Sequence, residues 1–239
     1  MNLVNFNLKR RMKKYVVIVA AGSGTRMGKD IPKQFLTLGS RPILHYTLDA
    51  FYGAYPDINV ILVIAGRYMK WGEDIAKAYS DYSIKLVEGG KTRFQSVKNG
   101  LALIKEHSVI FVHDGVRCLV SGQLIHRCYE QAIMKGSAVP TVAVTETVRI
   151  VEGDSHHMLD RNKVRMVQTP QTFLSPVLLH AFAHEEQESF TDEASVVEHA
   201  GEKVHLIEGE YTNIKITRPQ DMAIAEEILR LRKEATART

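Results

Sequence analysis

Apolar runs and amphipathic stretches alternate along this chain. Tyr15–Ala21 is an unbroken apolar run, the signature of a strand buried on both faces. Pro42 opens an amphipathic segment from Ile43 to Tyr52. Val60–Ala65 and Ile84–Val87 read as second and third strands, and Phe94 to Ile104 has helical spacing. Val109–Val112 is a fourth strand, Ser121 caps a helix to about Met134, and Ala138–Val144 is a fifth strand. Strands alternating with helices predict an α/β fold: a Rossmann-like, mainly parallel sheet with helices on both faces.

From about Thr145 to Phe173 the rhythm changes. Thr147–Asp154 reads as a β-hairpin with a Gly153-Asp154 turn, which makes residues 145–173 a candidate protruding β-arm subdomain. Helices are expected at about Ser175–Glu188 and Thr191–Ala200, the second stopped by Gly201. Lys203–Glu208 and Asn213–Ile216 read as late strands. A final helix starts at a capping box, Thr217-Arg218-Pro219-Gln220, with Pro in its first turn. No repeat or low-complexity linker breaks the pattern. Residues 15–239 are therefore expected as a single domain behind a basic tail, residues 1–14.

Composition narrows the function classes. The 239 residues are 45% hydrophobic and 24% charged, ordinary for one globular α/β domain. The net charge of +4 suggests an acidic partner, but five cations sit in residues 1–14 without an acid, leaving −1 for the remainder. The basicity is a tail, and a nucleic-acid role is not expected. No stretch approaches the roughly 18 apolar residues of a membrane span. Cleavage of Lys13–Ala21 as a secretory signal would destroy the loop described next. Cys118 and Cys128 form neither a disulfide-dense scaffold nor a C-x-x-C metal pattern. A cytoplasmic protein is the simplest expectation.

The candidate chemistry starts directly after the first strand, at Ala20-Ala21-Gly22-Ser23-Gly24-Thr25-Arg26-Met27-Gly28, followed by Pro32-Lys33-Gln34. A buried strand emptying into a Gly-rich loop is where α/β folds cradle phosphates with backbone N–H groups. Two cations beside that cradle, Arg26 and Lys33, suit a polyphosphate and the charge of a phosphoryl-transfer transition state. The loop is neither a P-loop, since Gly28-Lys29 precedes Asp30, nor a G-x-G-x-x-G dinucleotide fingerprint.

Other strand ends add to it. Gly89-Gly90 with Arg93 and Ser96 follows the third strand and allows close approach of backbone to a ligand. His113-Asp114-Gly115-Val116-Arg117 ends the fourth; an Asp there points into the ligand crevice and suits Mg²⁺ bridging substrate phosphates. Arg161 offers a planar fork that matches phosphate. Thr191–Ser195 reads equally as a helix cap and as part of a site. Lys215 ends the Asn213–Ile216 segment and looks buried. The histidines fit packing or surface roles: His180 and His184 lack the Glu of H-E-x-x-H, and His113 faces away from Asp114 by strand alternation.

In order, these segments resemble the nucleotidyltransferases, and within them the 2-C-methyl-D-erythritol 4-phosphate cytidylyltransferase family, from Tyr15 to about Glu227. The resemblance implies CMP transfer from CTP to a sugar-alcohol phosphate, with Mg²⁺ as cofactor and release of pyrophosphate. It implies that Ala20, Ala21, Gly22, Ser23, Gly24, Thr25, Gly89, Gly90, Arg93 and Ser96 bind the nucleotide. Arg26 and Lys33 would stabilise the pentavalent α-phosphorus, with Arg161 and Lys215 steering the incoming phosphate. Asp114 would hold the metal, and Asp114, Arg117, Thr147, Arg161, Thr169 and Lys215 the acceptor. It also implies a homodimer through the β-arm, with Thr147 and Arg161 acting across the interface. The chain departs from the family pattern at Cys118, where Pro is usual, and at Glu146 and Arg149, which replace Asp and Lys. Two alternatives share the loop: a D-ribitol-5-phosphate cytidylyltransferase and a non-catalytic CTP sensor.

Overall fold

The computed structural model describes residues 12–22 and 31–237. The first apolar run forms β1, Lys13–Ala20, between β4 (Asn59–Ile64) and β6 (Ser108–Asp114), parallel to both. Its side chains alternate between two cores. Val16, Ile18 and Ala20 face one cluster and Val17 the other. Burial on both faces is why the run is continuous rather than alternating. Lys13 and Lys14, expected in the tail, belong to β1, because the register with β6 extends to Lys13↔Ser108. Lys14 is buried there and paired with Asp57 at 2.8 Å.

Short strands β2 (Thr37–Leu38) and β3 (Arg41–Pro42) lead into helix α1, Ile43–Ala54. After β4 come α2 (Met69–Ala78), β5 (Ile84–Glu88) and α3 (Arg93–Leu101), then β6, α4 (Gly122–Lys135) and β7 (Ser137–Ala143). Ser121 caps α4 as expected, its Oγ accepting from the Leu124 N–H at 3.0 Å. The sheet runs β10-β7-β11-β6-β1-β4-β5, where β10 is Arg165–Val167 and β11 is Gln171–Leu174; β12, Leu206–Glu208, pairs with β7. β10 and β11 are antiparallel to their neighbours and the other pairings are parallel. Helices α1, α2 and α4 cover one face. Helices α3, α5 (Ser175–Ala181) and α6 (Glu193–His199) cover the other. The expected α/β architecture is present.

Four sequence expectations need correction. Of residues 145–173, only β8 (Val148–Glu152) and β9 (Ser155–Leu159) form a sheet of their own, turning at Gly153 with φ +60°; β10 and β11 are integral to the main sheet. Helix α5 stops at Ala181 rather than Glu188. Glu185, Glu186 and Glu188 would place like charge on the negative end of a longer helix. Asn213–Ile216 is extended without a strand partner. Its backbone groups go instead to the Glu210 and Val116 carbonyls and to the Arg117 side chain. The last helix, α7 (Pro219–Ala237), is capped by Asp221 and not by Gln220: Asp221 Oδ2 accepts the N–H groups of Thr217 and Arg218, both at 2.7 Å.

Gly100 lets α3 lie close to the sheet. A Cβ there would stand 2.8 Å from Val17 Cγ1 and 3.2 Å from Val63 Cγ2, both in the core. Overpacking of this kind costs about 1–3 kcal/mol. Gly100→Val is therefore expected to lower the urea midpoint with an unchanged m-value, as measured by equilibrium unfolding.

Candidate active site

The chain builds β4 and β5 outward on one side of β1, then crosses to β6 on the other. The reversal opens a crevice at the carboxyl ends of β1 and β6, where open α/β sheets hold ligands. A cleft of about 460 Å³ lies there, lined by Ala20, Ala21, Gly22, Lys33, Gly90, Arg93, Ser96, Asp114 and Lys215 among others. Most of the described residues singled out in the sequence converge on it from five segments. Ser23, Gly24, Thr25 and Arg26 lie outside the described residues.

The glycines at the β5 end permit close contact between loops. A Cβ on Gly89 would fall 2.4 Å from Ala21 Cβ, and one on Gly90 2.3 Å from Gln95 Cβ. Ser96 locks this turn: its Oγ accepts from the Gly90 N–H at 3.1 Å and donates to the Thr92 carbonyl at 2.9 Å. Thr92 caps α3 by accepting from the Gln95 N–H at 3.1 Å.

Asp114 is the charge centre. Its Oδ2 lies 2.9 Å from Lys215 Nζ and 3.6 Å from Arg117 Nε, and its Oδ1 lies 3.4 Å from Arg93 Nη2. Burial works to raise the carboxyl pKa, but Arg93, Lys215 and Arg117 outweigh it and hold the group well below the usual carboxylate range. Three cations against two carboxylates, Asp114 and the Glu193 that shares Arg93, with Lys33 lining the same cleft, make the site a favourable one for an anion. Lys215 is not buried as expected; its side chain is 40% exposed and reaches Asp114 from the extended segment.

Arg93 is shared. It makes a bidentate pair with Glu193, 2.5 Å from Nη1 to Oε1 and 3.1 Å from Nη2 to Oε2, the strong geometry for guanidinium and carboxylate. Burial works against the Arg93 charge, but Glu193 and Asp114 outweigh it. At Glu193, fully buried, desolvation wins and raises the carboxyl pKa despite Arg93. Glu193 opens α6 behind the cap expected at Thr191–Ser195, where Asp192 and Ser195 form a reciprocal capping box. Gln171 braces that cap, donating to Asp192 Oδ2 and accepting from the Ala194 N–H, both at 2.8 Å.

Five predicted contact residues, Gly89, Arg117, Thr147, Arg161 and Thr169, do not line the cleft. Thr169 is buried behind it, and its Oγ accepts from the Asp114 N–H at 3.1 Å. Thr147 is exposed beside the hairpin, and Arg161 donates to the Thr145 carbonyl at 2.5 Å at the hairpin base. Arg117 borders the site as a brace. It reaches Asp114 and donates to the Asn213 carbonyl at 2.8 Å, while Asn213 donates to the Thr169 carbonyl at 2.8 Å. The sequence pattern assigned no role to Gln34. It is buried and bonds the carbonyls of Ala20 and Gly22; its place directly after Pro32-Lys33 was the available signal.

The likeness to known proteins extends far beyond the cleft. The family model of 2-C-methyl-D-erythritol 4-phosphate cytidylyltransferase (IspD) matches residues 14–231. This chain belongs to that cytidylyltransferase family. A 2-C-methyl-D-erythritol 4-phosphate cytidylyltransferase from Phocaeicola vulgatus is 43% identical over 220 residues, covering 91% of this chain and all of the relative. The crystal structure of 4-diphosphocytidyl-2C-methyl-D-erythritol synthase from Anaerococcus prevotii superposes with a TM-score of 0.79 at 30% identity, covering 92% of this chain and 99% of that one. The cytidylyltransferase from Thermus thermophilus gives a TM-score of 0.73 at 34% identity, covering 92% and 100%. No helix among the described residues is long and apolar enough to cross a membrane.

Where the cytidylyltransferase pattern usually has Pro, Cys118 is 4% exposed in the small core of Leu36, Leu38, Ile43 and Ile216. Burial pushes its thiol up to about 12. It acts there as a small apolar filler, not as a reactive group.

His113 supports the strand end from behind. It is fully buried, with Nε2 3.1 Å from the Arg117 carbonyl and Nδ1 3.0 Å from Thr169 Oγ. A carbonyl only accepts, so the network assigns the proton to Nε2 and makes Nδ1 the acceptor of the Thr169 hydroxyl. Burial pushes the His113 pKa down to about 4, with Asp114 opposing. A free histidine titrates near 6.5. The unfolded chain therefore binds the extra proton first as pH falls, and folding stability drops between about 6.5 and 4. The full effect is about 3 kcal/mol. Unfolding measured at pH 7 and pH 5 is expected to show about 2 kcal/mol of this loss in the native protein and a flatter profile in His113→Asn.

Proposed function

We propose that this protein transfers CMP from CTP to 2-C-methyl-D-erythritol 4-phosphate, giving 4-diphosphocytidyl-2-C-methyl-D-erythritol and pyrophosphate. The supporting observation is a single cleft at the β1–β6 reversal in which Arg93 and Lys215 pair with one buried carboxylate, Asp114, and Lys33 lines the same cleft beside the start of the Gly-rich loop. In the reaction, an acceptor phosphate oxygen bonds the α-phosphorus while its bond to the β-phosphate bridging oxygen breaks. A phosphomonoester has its second pKa near about 6, so the nucleophile is already ionised at neutral pH. No general base is required, in keeping with a cleft whose described lining holds no histidine. The work left to the protein is alignment of two anions and neutralisation of their charge.

In this reading the Ala20–Gly22 backbone, with Ser23, Gly24 and Thr25, cradles the triphosphate. Gly89, Gly90, Arg93 and Ser96 shape the nucleoside side. Lys33 and Arg26 address the α-phosphate, and Lys215 with Arg117 guides the acceptor phosphate near Asp114. A resident metal held by protein alone does not fit: Asp114 is the one carboxylate on the described cleft lining and already faces three cations. A Mg²⁺ that arrives on the triphosphate would fit, and Asp114 would be the residue that helps to hold it. It would supply charge neutralisation at the phosphates.

Thr147 and Arg161 are placed on a second copy's site in this proposal, with the β8–β9 hairpin forming a homodimer contact. Val151 and Met158 on the hairpin are 70% and 67% exposed, which supports an apolar partner there. The two buried, unbridged cysteines agree with a reducing, cytoplasmic setting.

The decisive assay is pyrophosphate release with CTP and Mg²⁺. Release is expected with 2-C-methyl-D-erythritol 4-phosphate and not with D-ribitol 5-phosphate. Turnover with the ribitol phosphate alone would change the acceptor, and CTP binding without turnover would indicate a sensor. Lys33→Ala is expected to lower kcat by about 10²-fold or more, the scale for losing one transition-state donor; a raised KM with normal kcat would make Lys33 a binding group only. Sedimentation should show a dimer that Val151→Glu with Met158→Glu converts to monomer, with Arg161→Ala losing acceptor affinity but remaining dimeric.

A further inference from the structure

Lys33 is carried on a single 3₁₀ turn, Lys33–Phe35, and the turn is held from two sides. On the inner side Gln34 is 1% exposed. Its Nε2 donates to the Ala20 carbonyl at 2.6 Å and to the Gly22 carbonyl at 3.2 Å. These carbonyls mark the end of β1 and the start of the Gly-rich loop. One side-chain amide thus uses both of its N–H donors to join two segments that face the same cleft. On the outer side the Phe35 ring meets Trp71 edge-on at 4.9 Å and Tyr68 at 6.1 Å. Successive residues of the turn therefore address the cleft, the β1 end and the aromatic surface of α2.

We propose that Gln34 is a positioning residue: it ties the Lys33 turn to Ala20–Gly22 at the end of β1, so that the ammonium and that backbone address the same phosphate. The Phe35–Trp71 contact is the counter-support. The inference rests on the cytidylyltransferase reading and adds to it a residue whose amide donors are both committed to backbone carbonyls of the protein. The two carbonyls give the amide its purpose. Without it the turn keeps its contact on α2 but loses its tie to the loop, and a displacement of about 1 Å in such an arrangement costs about 10²-fold in rate.

The test is a double-mutant cycle of Gln34→Met with Lys33→Ala, reading kcat and KM for CTP with a thermal melt of each variant. The cycle is also read on the Kd for CTP with Mg²⁺, so low turnover in Lys33→Ala does not limit it. Gln34→Met, of similar length but without donors, is expected to lower kcat/KM by about tenfold or more. It should change little further once Lys33 is absent, because the two act as a unit. The same loss in both backgrounds, or wild-type kcat/KM in a folded Gln34→Met protein, would overturn the proposal. Should Gln34→Met fail to fold, Trp71→Leu, on the partly exposed outer side, takes its place in the cycle with the same criteria. A wild-type protein that binds CTP but turns over neither acceptor would instead overturn the catalytic reading and leave the affinity cycle to decide the role of Gln34.

Discussion

The buried carboxylate of Asp114 organises everything around it. A lone carboxylate in that position would be too costly to keep ionised. It is ionised because Arg93, Arg117 and Lys215 arrive from three different parts of the chain. Each of those cations is itself fixed by the fold. Glu193 holds Arg93 from α6, the Asn213 carbonyl holds Arg117, and the extended segment before α7 delivers Lys215. The anion and its cations hold one another in place, and Arg93 and Lys215 line the cleft. An anionic substrate then meets donors that are already oriented, which is the condition under which electrostatic stabilisation is most effective.

The fold provides this arrangement by a division of labour between the faces of the sheet. Strand alternation turns Asp114 toward the cleft and His113 away from it. Behind the strand end, His113, Thr169 and Asn213 form a neutral hydrogen-bonded layer. Such a layer holds the strand end through its matched bonds, with Asn213 Oδ1 left as a buried acceptor that has no partner among the described residues. This explains why Thr169, Gln171 and Asn213 are buried polar residues so close to a charged site without lining it.

Much of this was legible in the chain. The apolar runs located the parallel strands because strands covered on both faces need unbroken apolar sequence, and the glycine-rich ends of β1 and β5 marked the cleft. What escaped notice depended on long-range partners. Lys215 looked buried because its neighbours Ile214 and Ile216 are apolar; only the position of Asp114, 101 residues earlier, shows that the lysine turns outward to meet it. Glu193 read equally well as a cap acid, since nothing local announces Arg93. The extent of α5 was overstated because helical spacing continued into an acidic run that the helix end rejects. The segment at 145–173 was taken as one unit because composition alone does not reveal that β11 is inserted between β6 and β7.

That insertion bears on how the molecule assembles. β11 pairs with both β6 and β7, so β7 cannot join the growing sheet until the chain has been made past Leu174. The β5-β4-β1-β6 half contains only residues up to Asp114 and can form from local parallel units during synthesis. The second half waits for a late strand, and contacts of this separation are slow to find. Glu193 and Lys215 come later still. During biogenesis the sheet therefore precedes the charge balance at its centre, and Asp114 spends the interval next to Arg93 and Arg117 without the third cation that completes its environment.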